Sequence, residues 1–201
     1  MKKLSNSLAE QDIIDILSDL KHRVMPRPFE RLALNGKKGI VGVEIGVFEG
    51  DHALSLLENL DIKNLYLVDP YVMYDDNLEA IKHYGNDLPT INNAKEVAYN
   101  KLKKYKDKII WIEEFSDKAA NYIPDNLDFV YIDGNHQEEY VQLDIESYFD
   151  KVCKGGVIGG HDFYNGYARD HDGVVMAVTK YIIENSLTLQ VELPDWWIKK
   201  L

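Results

Sequence analysis

The chain has 201 residues, which fits one domain of ordinary size. Hydrophobic residues make up 45% and charged residues 28% of it, so a largely disordered protein is excluded, and the single cysteine excludes an intrachain disulfide. The formal net charge is −11, and so acidic a chain lacks the electrostatic footprint of a general nucleic-acid binder.

The first predicted element is an amphipathic helix over residues 8–25, which Pro26 and Pro28 close. This segment has no continuous apolar core of the kind that a secretion signal needs, and no run of about 18 apolar residues occurs anywhere. We therefore expect residues 1–36 to form a helical extension and residues 37–201 the main domain. We also expect a cytoplasmic protein without a membrane contact.

Predicted strands and helices alternate through the rest of the chain, with a polar excursion over residues 71–93. The helix after the fourth strand is expected to end at Lys154-Gly155-Gly156, because glycines commonly stop helices. The alternation predicts an α/β fold with a single doubly wound, mostly parallel, seven-stranded sheet whose last strand is antiparallel. The predicted strands cover residues 39–46, 64–70, 109–114, 127–134, 156–163, 187–193 and 196–201.

Acidic residues stand at the ends of four predicted strands, namely Glu44, Asp69, Asp133 and Asp162. In open parallel sheets, ligands bind beyond the carboxyl ends of the strands. The four acids therefore predict a ligand site at that edge of the sheet.

The turn after the first predicted strand has the pattern Glu44-x-Gly46-x-x-x-Gly50. Its glycines suit a tight turn that brings the backbone close to a ligand. A dinucleotide fingerprint would have glycine at position 44, whereas a carboxylate stands there and Glu49 and Asp51 add negative charge. The turn therefore favours a ligand with positive charge, such as a sulfonium or an ammonium group.

Asp69 lies 23 residues beyond Gly46, at the end of the second predicted strand. An acid about 20 residues past such a turn commonly accepts hydrogen bonds from both ribose hydroxyls. The alternative is a helix N-cap or a turn aspartate before Pro70. Ser116 follows the third predicted strand, where the base of an adenosine would lie, and a plain helix N-cap is its alternative role.

These segments resemble a class I S-adenosylmethionine-dependent methyltransferase. More narrowly, they resemble the small-molecule O-methyltransferase group that includes macrolide-sugar methyltransferases. The resemblance covers about residues 39–180 and implies a Rossmann-like methyltransferase fold. It rests on Glu44-x-Gly46-x-x-x-Gly50, Val68-Asp69-Pro70, Ile132-Asp133-Gly134-Asn135-His136 and Gly155-Gly156-x-x-x-Gly160-His161-Asp162-Phe163.

The resemblance implies S-adenosylmethionine (SAM) as the cofactor. Glu44 and Gly46 would hold its methionine part, Asp69 its ribose, and Phe115 and Ser116 would flank its adenine. The full set of cofactor-binding residues expected on this basis is Glu44, Gly46, Phe48, Gly50, Asp69, Phe115 and Ser116.

The resemblance also implies a catalytic centre at Asp133 and His136, with His136 as the general base. Some relatives bind a divalent metal, Mg²⁺ or Mn²⁺, which here would be held by Asp133, Asp162 and His161. Some of these relatives have an acid where His161 stands, and imidazole favours transition metals over magnesium. The alternative is structural, with Asp133 capping the turn at Gly134 and His136 capping a helix.

Our leading hypothesis is methyl transfer from SAM to a hydroxyl of a small molecule, with sugars as one candidate acceptor. Aminopropyl transfer from a decarboxylated cofactor and a catalytically inactive interaction module are the alternatives. The expected partner is a small-molecule acceptor, without nucleic acid or membrane, and self-association stays open.

Overall fold

The computed structural model describes residues 26–72, 88–164 and 172–201. The helix predicted over 8–25 and most of the excursion over 71–93 lie outside these residues. None of the helices within the described ranges is both long and apolar enough to cross a bilayer.

Seven strands form one sheet in the order β3-β2-β1-β4-β5-β7-β6, which confirms the predicted fold class. Strands β1 to β5 are parallel to one another, and β7 is antiparallel to both β5 and β6. The strands are β1 Lys38–Ile45, β2 Asp61–Val68, β3 Ile109–Ile112, β4 Leu127–Ile132, β5 Val152–Gly160, β6 Leu189–Glu192 and β7 Asp195–Lys199.

Helices cover both faces of the sheet and enclose two apolar cores. A short π-helical segment, Phe29–Ala33, packs on one face with α1 and α2, and the other three helices pack on the opposite face. The helices are α1 Asp51–Asn59, α2 Leu88–Leu102, α3 Ser116–Ala119, α4 Glu138–Phe149 and α5 Asp172–Asn185.

The predicted glycine stop of the long helix is wrong. Helix α4 ends at Phe149, and Gly155 and Gly156 lie inside β5. Gly155 has a φ of 80°, and a Cβ at Gly156 would lie 2.9 Å from the carbonyl oxygen of Leu127. The two glycines therefore allow an irregularity in the β4–β5 pairing, because β5 runs too close to β4 at this point to leave room for a side chain.

Strand register brings the predicted ligand-site residues to the same edge of the sheet. Ile45 pairs with Val68 on one side and with Ile132 on the other, and Ile132 pairs with Gly160. The residues that follow these positions therefore meet at one edge of the sheet. The last strand is a core element, since Trp196 and Trp197 are both buried, one in each core.

Candidate active site

The turn between β1 and α1 packs directly on the end of β4. Gly46 has a φ of 84°, and its N–H donates to the Val68 carbonyl at 2.9 Å. A Cβ at Gly46 would lie 2.1 Å from the carbonyl oxygen of Asp133, which is closer than real atoms approach. Only glycine fits this position, because both the backbone conformation and the neighbouring strand exclude a side chain.

Asp69 lies at the predicted edge and clamps this turn. Its Oδ2 accepts the N–H groups of Val47 and Phe48, each at 2.9 Å, and its Oδ1 accepts the N–H of Tyr71 at 2.8 Å. A carboxylate has about four acceptor positions, so one remains, on Oδ1. The Tyr71 hydroxyl closes the clamp by donating to the Phe48 carbonyl at 3.0 Å.

Glu44 lies within β1 beneath the turn, with a side chain that is 1% exposed. Burial raises the pKa of Glu44 well above its usual range. Its Oε1 faces His52 Nδ1 of α1 at 3.4 Å, and among the described residues its Oε2 has no hydrogen-bond partner. A buried, unpartnered carboxyl oxygen fits a site that receives an ammonium group, so these residues fit the methionine end of SAM.

At the opposite end of the expected cofactor site, Phe115 is the N-cap of α3 and Ser116 is its first residue, so the N-cap role considered for Ser116 is wrong. Two residues of α4 that the motifs did not reveal hold this turn. The Tyr148 hydroxyl donates to the Ser116 carbonyl at 2.8 Å, and the buried Asp144 side chain hydrogen-bonds the Ser116 side chain. Burial raises the pKa of Asp144 to about 7.

Asp133, His136 and Asp162 converge beyond the ends of β4 and β5. Their donor atoms lie within 4.8 Å of one another. His136 Nε2 is 3.1 Å from Asp162 Oδ2 and 3.7 Å from Asp133 Oδ1. His161 joins them, with Nδ1 at 3.1 Å from Asp162 Oδ1 and 4.0 Å from Asp133 Oδ1. The structure thus brings together all four residues predicted for the catalytic and metal centre.

Both carboxylates of this centre are held ionised. Burial opposes ionisation of Asp133, but the adjacent imidazole of His136 and the charge of Arg27 outweigh it and lower its pKa. For Asp162, burial is likewise outweighed by hydrogen bonding from His161 and the nearby His136, so its pKa is also lowered. Asp162 adopts a left-handed backbone with a φ of 58°, a conformation that is uncommon outside glycine and is often found at functional sites.

Arg27 enters the site from the segment before β1, a contact that the sequence did not predict. Its Nη1 donates to Asp133 Oδ2 at 2.8 Å and to the Tyr131 hydroxyl at 2.7 Å. That hydroxyl donates in turn to Asp195 Oδ1 at 3.0 Å. The only signal for Arg27 was its place between Pro26 and Pro28, two residues that we had interpreted as a helix stop.

Comparison with known proteins identifies the family. A family model described as a methyltransferase domain matches residues 43–163, which run from β1 to just past the end of β5. An uncharacterized protein of Acanthamoeba polyphaga mimivirus is 31% identical over 150 residues, or 74% of this chain and 62% of that protein. The chain therefore spans less than two thirds of the length of this relative.

Solved structures share the fold. A Streptococcus mutans protein assigned as a methyltransferase and bound to S-adenosylhomocysteine (SAH) is 15% identical, with a TM-score of 0.60 over 88% of this chain and 99% of that one. The methyltransferase MycE of mycinamycin biosynthesis, in complex with Mg, SAH and mycinamycin VI, is 16% identical, with a TM-score of 0.53 over 86% of this chain and 47% of that one. The chain therefore belongs to the methyltransferase-domain family, whose model matches more than half of its length.

Proposed function

We propose that this methyltransferase acts on a hydroxyl group of a small molecule, with His136 as general base and a divalent cation beside it. The observation that carries the proposal is the convergence of Asp133, His136 and Asp162 within 4.8 Å at the cofactor edge of the sheet. SAM would supply the methyl group on a positively charged sulfur. The protein has to align the acceptor and remove its proton.

The cofactor would lie along the edge from β1 to β3. Glu44 and the turn at Gly46, Phe48 and Gly50 would hold the methionine end. Asp69 would accept one ribose hydroxyl through its remaining position on Oδ1, rather than both hydroxyls, because three backbone amides use the other positions. Phe115 and Ser116, supported from below by Asp144 and Tyr148, would flank the adenine.

His136 would take the acceptor proton at Nε2, the atom that faces both carboxylates. The imidazolium that results would be stabilised by Asp162 Oδ2 at 3.1 Å and Asp133 Oδ1 at 3.7 Å. Histidine is the side chain that exchanges protons most readily near neutral pH, which suits the role of a general base.

The donor set at this centre fits a divalent ion with affinity for both oxygen and nitrogen. Arg27 occupies Asp133 Oδ2, which leaves Asp133 Oδ1 and the Asp162 oxygens, with His161 beside them. Mixed oxygen and imidazole ligands favour Mn²⁺ or another transition ion over Mg²⁺, which prefers oxygen alone. A cation here would lower the pKa of an acceptor hydroxyl.

A small molecule is the proposed acceptor because the chain has a net charge of −11, which disfavours phosphate-rich polymers. A sugar hydroxyl is one candidate, since the fold neighbour MycE was solved with mycinamycin VI. Methylation of a hydroxyl fits a site that pairs a general base with a candidate cation site.

The test is a transfer assay with methyl-labelled SAM on a panel of sugars, phenols, amines and RNA. Each reaction is run with EDTA, and then with Mn²⁺ or Mg²⁺ restored. We expect methylation of a hydroxyl acceptor, loss of activity with EDTA and better recovery of activity with Mn²⁺ than with Mg²⁺.

A variant tests the proposed cation ligand. Asp162→Asn should lose metal dependence and most of its activity together, because a neutral amide is a weaker ligand for a divalent cation. Asp150→Asn, whose side chain is 98% exposed, is the matched control.

His136→Ala separates the base from the cation. We expect turnover to fall by roughly 10²–10⁴-fold with SAH affinity unchanged, the range for losing a general base. If activity is insensitive to EDTA but His136→Ala still abolishes turnover, the cation has no part in the reaction and the histidine acts alone. Methylation confined to RNA or amines would overturn the proposed acceptor class.

A further inference from the structure

Three titratable side chains are buried together beneath the β1–α1 turn, and we call them the Glu30–His52–Glu44 relay. Glu30 comes from the π-helical segment, Glu44 from β1 and His52 from α1, and each is at most 5% exposed. His52 Nδ1 lies 3.4 Å from Glu44 Oε1, and Nε2 lies 3.5 Å from Glu30 Oε1. One imidazole thus stands between two carboxyl groups.

Hydrogen-bond donors distinguish the two carboxyl groups. Burial raises the pKa of Glu30, but this carboxylate accepts the Arg27 N–H at 3.0 Å and the Ser55 hydroxyl at 2.7 Å, and both donors favour its ionised form. Glu44 receives no such donor within the described part of the chain, and its Oε2 is buried. An ionised Glu44 would therefore be costly, whereas a protonated Glu44 can donate to His52.

The valences of the imidazole require that one of the two carboxyl groups carry a proton, and the missing donors at Glu44 place it there. A neutral imidazole has one N–H and one lone pair, so it cannot donate to both carboxylates. Burial lowers the pKa of His52 to about 3, which keeps it neutral. A protonated Glu44 that donates to Nδ1, with Nε2–H directed at Glu30, leaves no like charges in contact.

The charged surroundings of the relay are mostly acidic. Arg27 faces it, but the guanidinium is bound to Asp133. The acidic groups that face Glu44 or His52 from the strand ends and from β7 are Asp69, Asp133 and Asp195. Two tyrosines also face the pair, Tyr131 across the His52 ring at a centroid distance of 4.0 Å and Tyr71 near Glu44. An incoming cation would therefore be attracted to Glu44 and would favour its ionised form.

We propose that Glu44 is protonated in the cofactor-free protein, that His52 is its positioning residue, and that cofactor binding releases this proton. The inference rests on the proposed placement of the methionine end at Glu44. When the ligand ammonium takes its place beside Glu44, the Glu44 O–H bond breaks and the electron pair stays on the carboxylate. That proton forms the Nδ1–H bond of His52, the Nε2–H bond breaks, and the Nε2 proton leaves past Glu30 to solvent. One proton is released in total, and the neutral His52 then donates from Nδ1 to the ionised Glu44. Glu30 keeps its Arg27 and Ser55 donors and lines a surface cavity through which the proton can leave.

The test is calorimetric titration of the full-length protein with SAH at pH 6–7, in two buffers that differ in ionisation enthalpy. The difference in binding enthalpy counts the protons released. We expect wild type to release a substantial fraction of one proton. Protonation of any free amine of the ligand on binding would cause proton uptake, which has the opposite sign. Glu44→Gln should abolish the release, and His52→Asn should reduce it because the amide can donate to an ionised Glu44. Glu58→Gln, an exposed change on the same helix, should release as wild type does.

A wild-type enthalpy that is the same in both buffers would overturn the proton release, and this measurement needs no folded variant. Release that persists in Glu44→Gln would place the proton on another group and would overturn the assignment. If Glu44→Gln binds SAH as tightly as wild type does, the cofactor placement itself is wrong. If its affinity falls while wild type shows no release, the placement stands and only the proton inference fails.

Discussion

Gly46 is the residue on which the geometry of the β1–α1 turn depends most directly. Its φ of 84° costs an alanine about 1–2 kcal/mol by itself, and the Cβ would also collide with the Asp133 carbonyl. Gly36 provides a matched control, because its φ of 74° is similar and a Cβ there has no atom within 4 Å among the described residues.

We expect Gly46→Ala to lose clearly more free energy of unfolding than Gly36→Ala, and to lose SAH affinity as well. Gly36→Ala should cost about 1 kcal/mol and should bind SAH normally, since only the backbone penalty applies. Urea denaturation and SAH titration measure both effects. Equal losses in the two variants would mean that the turn shifts to accommodate the methyl group.

Asp144 makes folding stability depend on pH. Its pKa is about 7 in the folded protein because of burial, against about 3.9 for an unfolded aspartate. Between these values the folded state binds a proton that the unfolded state does not, so stability falls as pH rises from about 4 to 7. Each pKa unit corresponds to about 1.4 kcal/mol, so the effect amounts to a few kcal/mol.

Asp144→Asn should therefore gain stability over wild type as pH rises through this window, with the difference constant above about pH 7. The amide keeps a partner for Ser116 and carries no charge to bury. Chemical denaturation of both proteins at several pH values between 4 and 8 measures the difference. A difference that does not change with pH would show that Asp144 titrates normally.

At the scale of elements, the segment before β1 is part of the site, because it carries both Arg27 and Glu30. Phe29 anchors it. Its ring is fully buried and makes edge contacts with Phe129 and Tyr131 at centroid distances of 6.2 and 5.0 Å. The backbone N–H of Phe29 donates to Asp195 Oδ2 at 2.9 Å. The packing of one side chain thus holds an arginine and a glutamate at the sheet edge.

Phe29→Ala should destabilise the protein by about 3–5 kcal/mol, the usual loss for a buried phenylalanine. Leu32 is the control in the same segment, because its side chain is 52% exposed. Leu32→Ala should stay within about 0.5 kcal/mol of wild type. Urea denaturation distinguishes the two, and similar small losses would show that the segment is not anchored as described.

At the scale of the whole molecule, we expect acidic charge to select the cofactor. The net charge is −11, and the Glu44 carboxyl group lies beneath the β1–α1 turn, where a bound diphosphate would be repelled. SAH at about 100 times its dissociation constant adds about 2.7 kcal/mol. For a chain of this size, that shift corresponds to about 5–10 °C in Tm. NAD and NADP at the same concentration should leave Tm unchanged, and thermal denaturation with each ligand is the measurement. Stabilisation by NAD but not by SAH would overturn the predicted cofactor preference.

Local patterns in the sequence were sufficient for the fold class and for most of the candidate centre. Alternating apolar strands and amphipathic helices predict a parallel sheet, and parallel strands place their carboxyl ends at one edge. Asp133, His136, His161 and Asp162 could therefore be grouped from their positions after strands, and the structure places them together. The glycine stop at Gly155 failed because a glycine pair has the same local signature in a helix end and in an irregular strand.

Only the tertiary structure decided which distant side chains meet. Arg27 and Asp133 are 106 residues apart, and Glu30, Glu44 and His52 come from three elements. No spacing rule links such positions, because their contact depends on how each element packs across the sheet. The same holds for Asp69, whose place after a strand was evident from the sequence. Three backbone N–H groups already donate to its carboxylate, and these contacts form only because two turns fold around it. The sequence by itself determined the fold and the edge that carries the chemistry, because strand and helix patterns are local. The partners and charges of the side chains at that edge were decided by packing, because burial and hydrogen bonding arise only when the elements come together.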